Sequence, residues 1–136
     1  MGSTNPVGQS PYKMQLDSVM QFELNSEQKK YQTNFASFVD EHISSNANGW
    51  DNEQTLPLAI HRQLADAGYL VGSMPSSSGG AGFDMVTHGL LTEEIGRGCG
   101  SVRNLVTVQG MVAHAIEKWG TPEPVSYTHL TLPTKA

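Results

Sequence analysis

The sequence is poor in cysteine and in positive charge. Its 136 residues include one cysteine, Cys99, and 8 Lys and Arg against 13 Asp and Glu, which gives a formal net charge of -5. A single cysteine excludes an internal disulfide, and a free thiol is typical of a reducing compartment, so we expect a cytoplasmic protein. The shortage of basic residues removes the electrostatic attraction on which binding to nucleic acid or to an anionic membrane surface depends. We therefore expect neither nucleic acid nor a membrane among its partners.

Long apolar runs and closely spaced metal ligands are also missing. Residues 1–21 are polar and hold no apolar segment of the kind found in signal peptides or membrane spans, so we expect a disordered leader there. The histidines lack the short spacings of a metal site. We interpret them as surface or satisfied core residues; they are His42, His61, His88, His114 and His129.

Helical periodicity is the strongest signal that is present. Asn25 and Gln28 form the side-chain pair of a capping box, which predicts a first helix from near Ser26 to near Ser45. Residues 44–52 collect Ser, Asn, Gly and Asp and predict a loop in which Trp50 folds back as an anchor. A second helix is expected from Pro57 to a left-handed cap at Gly68. Its buried face would hold Leu58, His61, Leu64 and Ala65.

Two further helices follow a turn-rich segment. Residues 76–82 are too rich in Ser and Gly for regular structure and predict a compact, exposed loop. Asp84 can cap a third helix, which the glycines at 96, 98 and 100 weaken. A fourth helix runs from Ser101 to about Trp119, with Leu105, Val108, Val112 and Ile116 on one buried stripe. The fold class predicted over residues 22–123 is all-α, an antiparallel helical bundle.

The order of these features resembles the N-terminal domain of the acyl-CoA dehydrogenase family. The segments that carry the resemblance are Pro57 with Leu64–Leu70, Met74–Pro75 with Gly79–Asp84, Glu93–Cys99, and Trp119–Glu123. The family resemblance implies a parent enzyme with FAD and an acyl-CoA or acyl-carrier-protein thioester as substrate. It also implies a homo-oligomer and an electron acceptor whose identity the sequence leaves open.

The same resemblance implies that this chain lacks the reacting groups. In the family, the carboxylate that removes the α-proton belongs to a C-terminal domain, and the flavin is held by other domains and a neighbouring subunit. We therefore assign no catalytic, cofactor-binding or metal-binding residue here and expect an inactive fragment. Glu93 and Glu94 are interpreted as solvated or ion-paired carboxylates. The glycines of residues 79–82 are interpreted as turn formers, since no phosphate-binding motif accompanies them.

The family pattern stops after Glu123. Residues 124–136 follow no helical period, and Val125–Thr134 is similar to a translated sequencing adapter, so we interpret this segment as a non-native tail. A short natural C-terminal strand is the alternative for the same residues.

Arg103 is the most informative polar residue. The run Arg103–Gln109 is similar to the glutaryl-CoA dehydrogenase branch and to acyl-CoA-dehydrogenase-like enzymes of polyketide pathways. That similarity implies that Arg103, Asn104 and Thr107 bind a short, polar acyl group, and Met111 is a further candidate for the pocket floor. Arg103 and Thr107 share one helix face, where a guanidinium and a hydroxyl could bind one carboxylate. The alternatives are a surface ion pair for Arg103 and core packing for Met111.

The same sequence pattern is also compatible with a function of another class. A self-contained small helical interaction domain would show the same binary arrangement of apolar and polar residues. The two hypotheses differ in whether the coding sequence continues beyond Glu123 into a β-domain and a helix that carries the catalytic carboxylate.

Overall fold

The computed structural model describes residues 23–121, and these form helices and turns without a β-strand. The elements are α1 (Ser26–Val39), a π-helical turn (Asp40–Ser44), α2 (Ala47–Glu53), α3 (Leu58–Asp66), a 3₁₀ turn (Ser76–Ser78), α4 (Met85–Gly98) and α5 (Gly100–Trp119). The all-α prediction is confirmed. The predicted leader (1–21) and tail (124–136) lie outside the described residues. Within residues 23–121, no helix is both long and apolar enough to cross a membrane.

The capping box predicted for α1 is present. Asn25 Oδ1 accepts a hydrogen bond from the Gln28 backbone N–H at 2.8 Å, and Gln28 Oε1 accepts one from the Asn25 N–H at 3.1 Å. These bonds satisfy two N–H groups that a helix start leaves without partners. The helical path continues through the π-helical turn to Ser44, close to the predicted end, with Phe35, Val39 and Ile43 buried.

The loop predicted for residues 44–52 is wrong, because Ala47–Glu53 forms the short helix α2. Asn46 precedes it without a side-chain cap, and Gln54 ends it in the left-handed region at φ 52°. Trp50 is half-buried against the core, as the anchor interpretation predicted. Packing of this one large side chain stabilises a helix whose sequence has low intrinsic propensity.

The predicted end of α3 is confirmed, and part of its predicted buried face is wrong. Gly68 has φ +75°, and the N–H groups of Gly68 and Tyr69 donate to the carbonyls of Ala65 and Leu64, both at 2.9 Å. This is a Schellman cap, which needs a left-handed residue. Pro57 is the extended N-cap residue before Leu58. The fully buried residues are Ile60 and Leu64, whereas Leu58 is exposed and His61 half-buried, because Ile60 takes the inward position in the first turn.

The glycine-rich segment after α3 is a compact turn whose backbone groups bond to one another. Ser76–Ser78 makes one 3₁₀ turn, so the prediction of no regular structure is wrong for these three residues. The N–H groups of Gly79, Gly80 and Gly82 donate to Ser76, Pro75 and Met74 carbonyls at 2.9–3.1 Å. A Cβ on Gly80 would lie 2.1 Å from the Met74 carbonyl oxygen, so this chain reversal requires glycine there.

The helices α1 and α4 lie side by side and run in the same direction. Gln28 Nε2 donates to Asp84 Oδ2 (3.3 Å) at their N-terminal ends, and Arg97 pairs with Asp40 (2.9 Å) at the other ends. α4 and α5 are antiparallel, joined through Cys99, so the predicted antiparallel arrangement applies to this pair. As predicted, Asp84 caps α4, and the core residues on α4 are Leu90, Leu91 and Ile95.

The stripe predicted to be buried on α5 is shifted around the helix. Its buried residues are Val102, Val106, Gly110 and Ala113. Val108 and Val112 are 50% and 46% exposed, whereas Leu105 and Ile116 are half-buried. The buried stripe ends in the small residues Gly110 and Ala113. The stripe beside it was predicted to be buried, but it faces outward at Val108 and Val112.

Candidate functional site

A groove of about 830 Å³ lies along the outward face of α5. The segment after α3 supplies Ser73, and the first turns of α4 supply Met85 and His88. The remaining lining residues belong to α5 and are Thr107, Gly110, Met111, His114, Ala115, Glu117, Lys118 and Trp119. The groove is therefore built mainly by the antiparallel pair α4 and α5.

Thr107 and Met111, two of the four residues predicted for an acyl pocket, lie together in this groove. Met111 is 67% exposed, so the alternative of ordinary core packing does not describe it. The Thr107 hydroxyl donates its proton to the Arg103 carbonyl oxygen at 2.9 Å. Towards the groove the Thr107 oxygen is consequently an acceptor.

Arg103 lies one turn before Thr107, in the first turn of α5, and both Arg103 and Asn104 are exposed outside the groove lining. The aliphatic part of Arg103 crosses Gly96 of α4, where a Cβ would come within 2.9 Å of Arg103 Cδ. Among residues 23–121, the Arg103 guanidinium has no carboxylate within ion-pair distance, so the surface pair weighed as an alternative is not formed there. A cation in the first turn of a helix opposes the helix dipole. The charge of Arg103 therefore does not stabilise α5, whereas its aliphatic part packs against α4.

A polar cluster at the opposite end of the groove was missed by sequence reasoning. Ser73 Oγ lies 2.9 Å from His114 Nε2, and His114 Nδ1 lies 3.9 Å from Glu117 Oε2. Ser78 Oγ donates to Glu117 Oε1 at 2.8 Å, which orients that carboxylate. These contacts connect the segment after α3 to the last turns of α5.

His88 stands beside this cluster and departs from the interpretation of the histidines as surface or satisfied residues. Its Nδ1 is buried with no hydrogen-bond partner among the described residues. Burial, and secondarily the nearby His114, lower the pKa of His88 below its ordinary value, so the ring is neutral at neutral pH. No local sequence signal pairs the two histidines, because His88 and His114 lie on different helices and not at equal distances from Cys99, where the helical hairpin turns.

A second, more polar groove of about 720 Å³ lies at the N-terminal end of α5, between Trp50, Thr55, Cys99 and Ser101. Within the described part of the chain, no three His, Cys, Asp or Glu side chains are grouped so that they could hold a metal ion. The glycine-rich turn does not fit a flavin pyrophosphate either, because its N–H groups already donate to the turn's own carbonyls.

Comparison with known proteins identifies the family of this chain. The model of the family described as acyl-CoA dehydrogenase, N-terminal domain, matches residues 25–125. Benzylmalonyl-CoA dehydrogenase of Aromatoleum aromaticum is 34% identical over 93 residues, which cover 68% of this chain and 25% of that protein. A probable acyl-CoA dehydrogenase of Bacillus subtilis is 28% identical over 113 residues, which cover 82% of this chain and 30% of that protein.

Isobutyryl-CoA dehydrogenase of Bos taurus is 24% identical over 100 residues, covering 74% of this chain and 24% of that protein. The chain thus spans about a quarter of the length of these relatives.

Proposed function

Because this chain belongs to the acyl-CoA dehydrogenase family, as its N-terminal domain, we propose that its α4–α5 groove forms one wall of the acyl site in a flavin-dependent enzyme that oxidises an acyl thioester. In such a reaction a carboxylate removes the α-proton while FAD, when bound, accepts the β-hydrogen as hydride. The base and the flavin site belong to parts of the protein beyond this chain. The residues described here bind and orient the acyl group, which is attached to CoA or to a carrier protein.

The observation that carries the proposal is the position of Arg103. A guanidinium without a carboxylate partner in residues 23–121 stands at the positive end of α5, one turn before the half-buried Thr107 and two turns before the exposed Met111. Guanidinium groups bind carboxylates with two parallel hydrogen bonds, and the dipole of a helix N-terminus adds to the attraction for an anion. This arrangement suits a substrate with a second acidic group at the end of a short acyl chain.

The relatives named above include one whose acyl group carries a second acid and one whose acyl group is neutral. A malonyl thioester carries a second carboxyl group, whereas an isobutyryl thioester is neutral. The Arg103 guanidinium, which has no carboxylate partner within residues 23–121, favours a substrate of the acidic class for this protein. Gly96 supports that role, because the lack of a side chain at this position lets the Arg103 stem lie across α4.

The test measures kcat/KM in the full-length protein for two thioesters of similar length, one with a distal carboxylate and one unbranched and neutral. We expect Arg103→Met to reduce kcat/KM for the acidic substrate by roughly ten- to hundredfold, the effect of losing a charged hydrogen-bond partner. The neutral substrate should change little. Arg62→Met, on the exposed side of α3, is the matched control and should affect neither substrate.

Equal losses for both substrates would show that Arg103 supports the fold, and no loss for either would remove it from the site. Gly96→Ala is a second probe, because a Cβ there displaces the Arg103 stem without removing its charge. We expect it to lower activity towards the acidic substrate selectively and by a smaller factor.

A self-contained helical interaction domain is the second candidate function. The observation in its favour is the exposure of large apolar side chains, with Met85 81% and Trp119 76% exposed. Sequencing the gene from its source separates the two: a reading frame that continues into further dehydrogenase domains supports the enzyme, and a natural stop near Glu123 supports the interaction domain.

A further inference from the structure

The polar end of the groove has a definite arrangement of hydrogen-bond donors and acceptors. His88, Ser73 and His114 meet there, away from Arg103. Arg103 and His114 are separated along α5 by a rise of about 16 Å, at 1.5 Å per residue. The two ends of the site can therefore bind different parts of one ligand.

The tautomer of His88 follows from its surroundings. A neutral imidazole carries one N–H, and a buried N–H without a partner costs more than a bare acceptor nitrogen in the same position. Since Nδ1 is buried and unpartnered, the proton belongs on Nε2. His88 lines the groove, so it presents Nε2–H there as an uncharged donor.

Ser73 has the opposite character. The Glu117 carboxylate lies on the Nδ1 side of His114 and favours a proton on that nitrogen, which leaves His114 Nε2 as an acceptor. Ser73 must then donate its hydroxyl proton to His114 across 2.9 Å. The lone pairs of Ser73 Oγ remain available to accept a hydrogen bond, and Thr107 Oγ1 is in the same condition.

We propose that His88 and Ser73 form a binding site for a neutral secondary amide, whose carbonyl oxygen accepts from His88 Nε2–H and whose N–H donates to Ser73 Oγ. The inference rests on the proposed function, because the amide it assigns is the one nearest the sulfur in the arm of an acyl thioester. A carboxylate is a poor occupant here, because His88 offers a single uncharged donor and Glu117 adds a negative charge. Thus Arg103, one turn beyond the groove lining, binds the acidic end of the substrate, and the groove binds the amide near His88.

The first measurement needs no variant. The imidazole ¹⁵N chemical shifts of His88 in the 136-residue chain distinguish the two neutral tautomers, and we expect the one protonated on Nε2. Addition of S-butyryl-N-acetylcysteamine, which carries one secondary amide and no acid, should shift the His88 ring signals and the His114 signals. A ring protonated on Nδ1 would overturn the assignment.

The second measurement compares this amide probe with S-butyryl-2-mercaptoethyl acetate, in which an ester replaces the amide. We expect the wild-type chain to bind the amide about fivefold more tightly, which corresponds to one neutral hydrogen bond of about 1 kcal/mol. His88→Phe should abolish this preference while keeping an aromatic ring in place. His61→Phe, on α3 and outside the groove, should keep it.

His88→Gln keeps a side-chain N–H and should retain part of the preference for the amide probe over the ester probe. This second variant tests the role of the N–H even if His88→Phe fails to fold. N-acetylalanine N-methylamide tests whether any peptide amide suffices; binding as tight as that of the thioester probe would overturn the assignment to the thioester arm. A preference for amide over ester that survives in His88→Phe would overturn the role of His88. Because the butyryl group is uncharged, Arg103→Met should leave the preference unchanged, so failure here is separable from failure of the carboxylate test.

Discussion

Asp84 connects two helices through a single carboxylate. Its Oδ1 accepts a hydrogen bond from the Thr87 backbone N–H at 2.6 Å, and its Oδ2 accepts one from Gln28 Nε2 at 3.3 Å. The Thr87 bonds are the main reason why the pKa of Asp84 lies below its ordinary value, and the Gln28 bond adds to the effect. The charged form is therefore the one that caps α4 and contacts α1.

The first prediction concerns the pH dependence of this cap. Because the folded-state pKa of Asp84 is lowered, its contribution to stability is present above the unfolded-state pKa and is lost as the pH falls through the folded-state pKa. Asp84→Asn keeps a capping oxygen without the charge, so its free energy of unfolding should approach that of wild type as the pH is lowered from neutral into the acidic carboxyl range.

Urea unfolding at neutral and acidic pH measures this difference. Glu93→Gln, an exposed position on the same helix, is the matched control and should not show it. A gap between wild type and Asp84→Asn that is independent of pH would contradict the role of the charge.

At single positions, the sequence could group only those candidate site residues that are neighbours along one helix. Arg103, Thr107 and Met111 could be grouped because steps of four residues share a helix face. Ser73 and His88 could not, because their proximity to His114 depends on how the segment after α3 and the start of α4 pack on α5. The inward or outward direction of Met111 was also beyond the periodicity, which is apolar on two adjacent stripes of α5.

Among the helices, the ends that are marked by a capping residue were predicted correctly from the sequence. The helix that depends on packing against distant residues was not. The Asn25 capping box and the Gly68 cap fix the backbone with their immediate neighbours, so the sequence located them. α2 has no side-chain cap and is held by Trp50, which contacts residues far away in sequence. The parallel direction of α1 and α4 likewise follows from the intervening chain and has no local signal.

The second prediction concerns two glycines of α4 with different surroundings. A Cβ at Gly98 would lie 2.6 Å from Val39 Cγ1 and 3.0 Å from Ile43 Cγ2, both on fully buried side chains, whereas a Cβ at Gly89 meets nothing within 4 Å. We expect Gly98→Ala to destabilise the fold by about 1 to 3 kcal/mol through overpacking. Gly89→Ala should stabilise it by about 0.5 to 1 kcal/mol, since alanine favours the helix.

Thermal or urea unfolding of both variants makes the comparison on one helix with one type of substitution. Stabilisation of similar size at both positions would mean that helix propensity, and not the contact of Gly98 with Val39 and Ile43, determines the result. A stabilising Gly98→Ala would show that Val39 and Ile43 can move apart at little cost.

On the scale of the whole molecule, residues 23–121 form one helical domain, and the chain matches about a quarter of its relatives' length. Its core lies between α1, α3, α4 and α5, and the face of α5 that includes Val108, Met111 and Val112 is left exposed. The order of helices and glycine-rich segments was sufficient to predict the fold class and the family.

The last prediction concerns flavin binding by the 136-residue chain, which we expect to be absent. Holding FAD requires free N–H groups or cations for its pyrophosphate. The N–H groups of the glycine-rich turn donate to the turn's own carbonyls, and Arg97 is paired with Asp40 and Glu94. Arg103 lies outside both of these places and offers one guanidinium without accompanying free N–H groups of the glycine-rich turn. The purified chain, incubated with excess FAD and desalted, should therefore show no visible flavin absorbance. Stoichiometric flavin in the desalted sample would contradict this expectation.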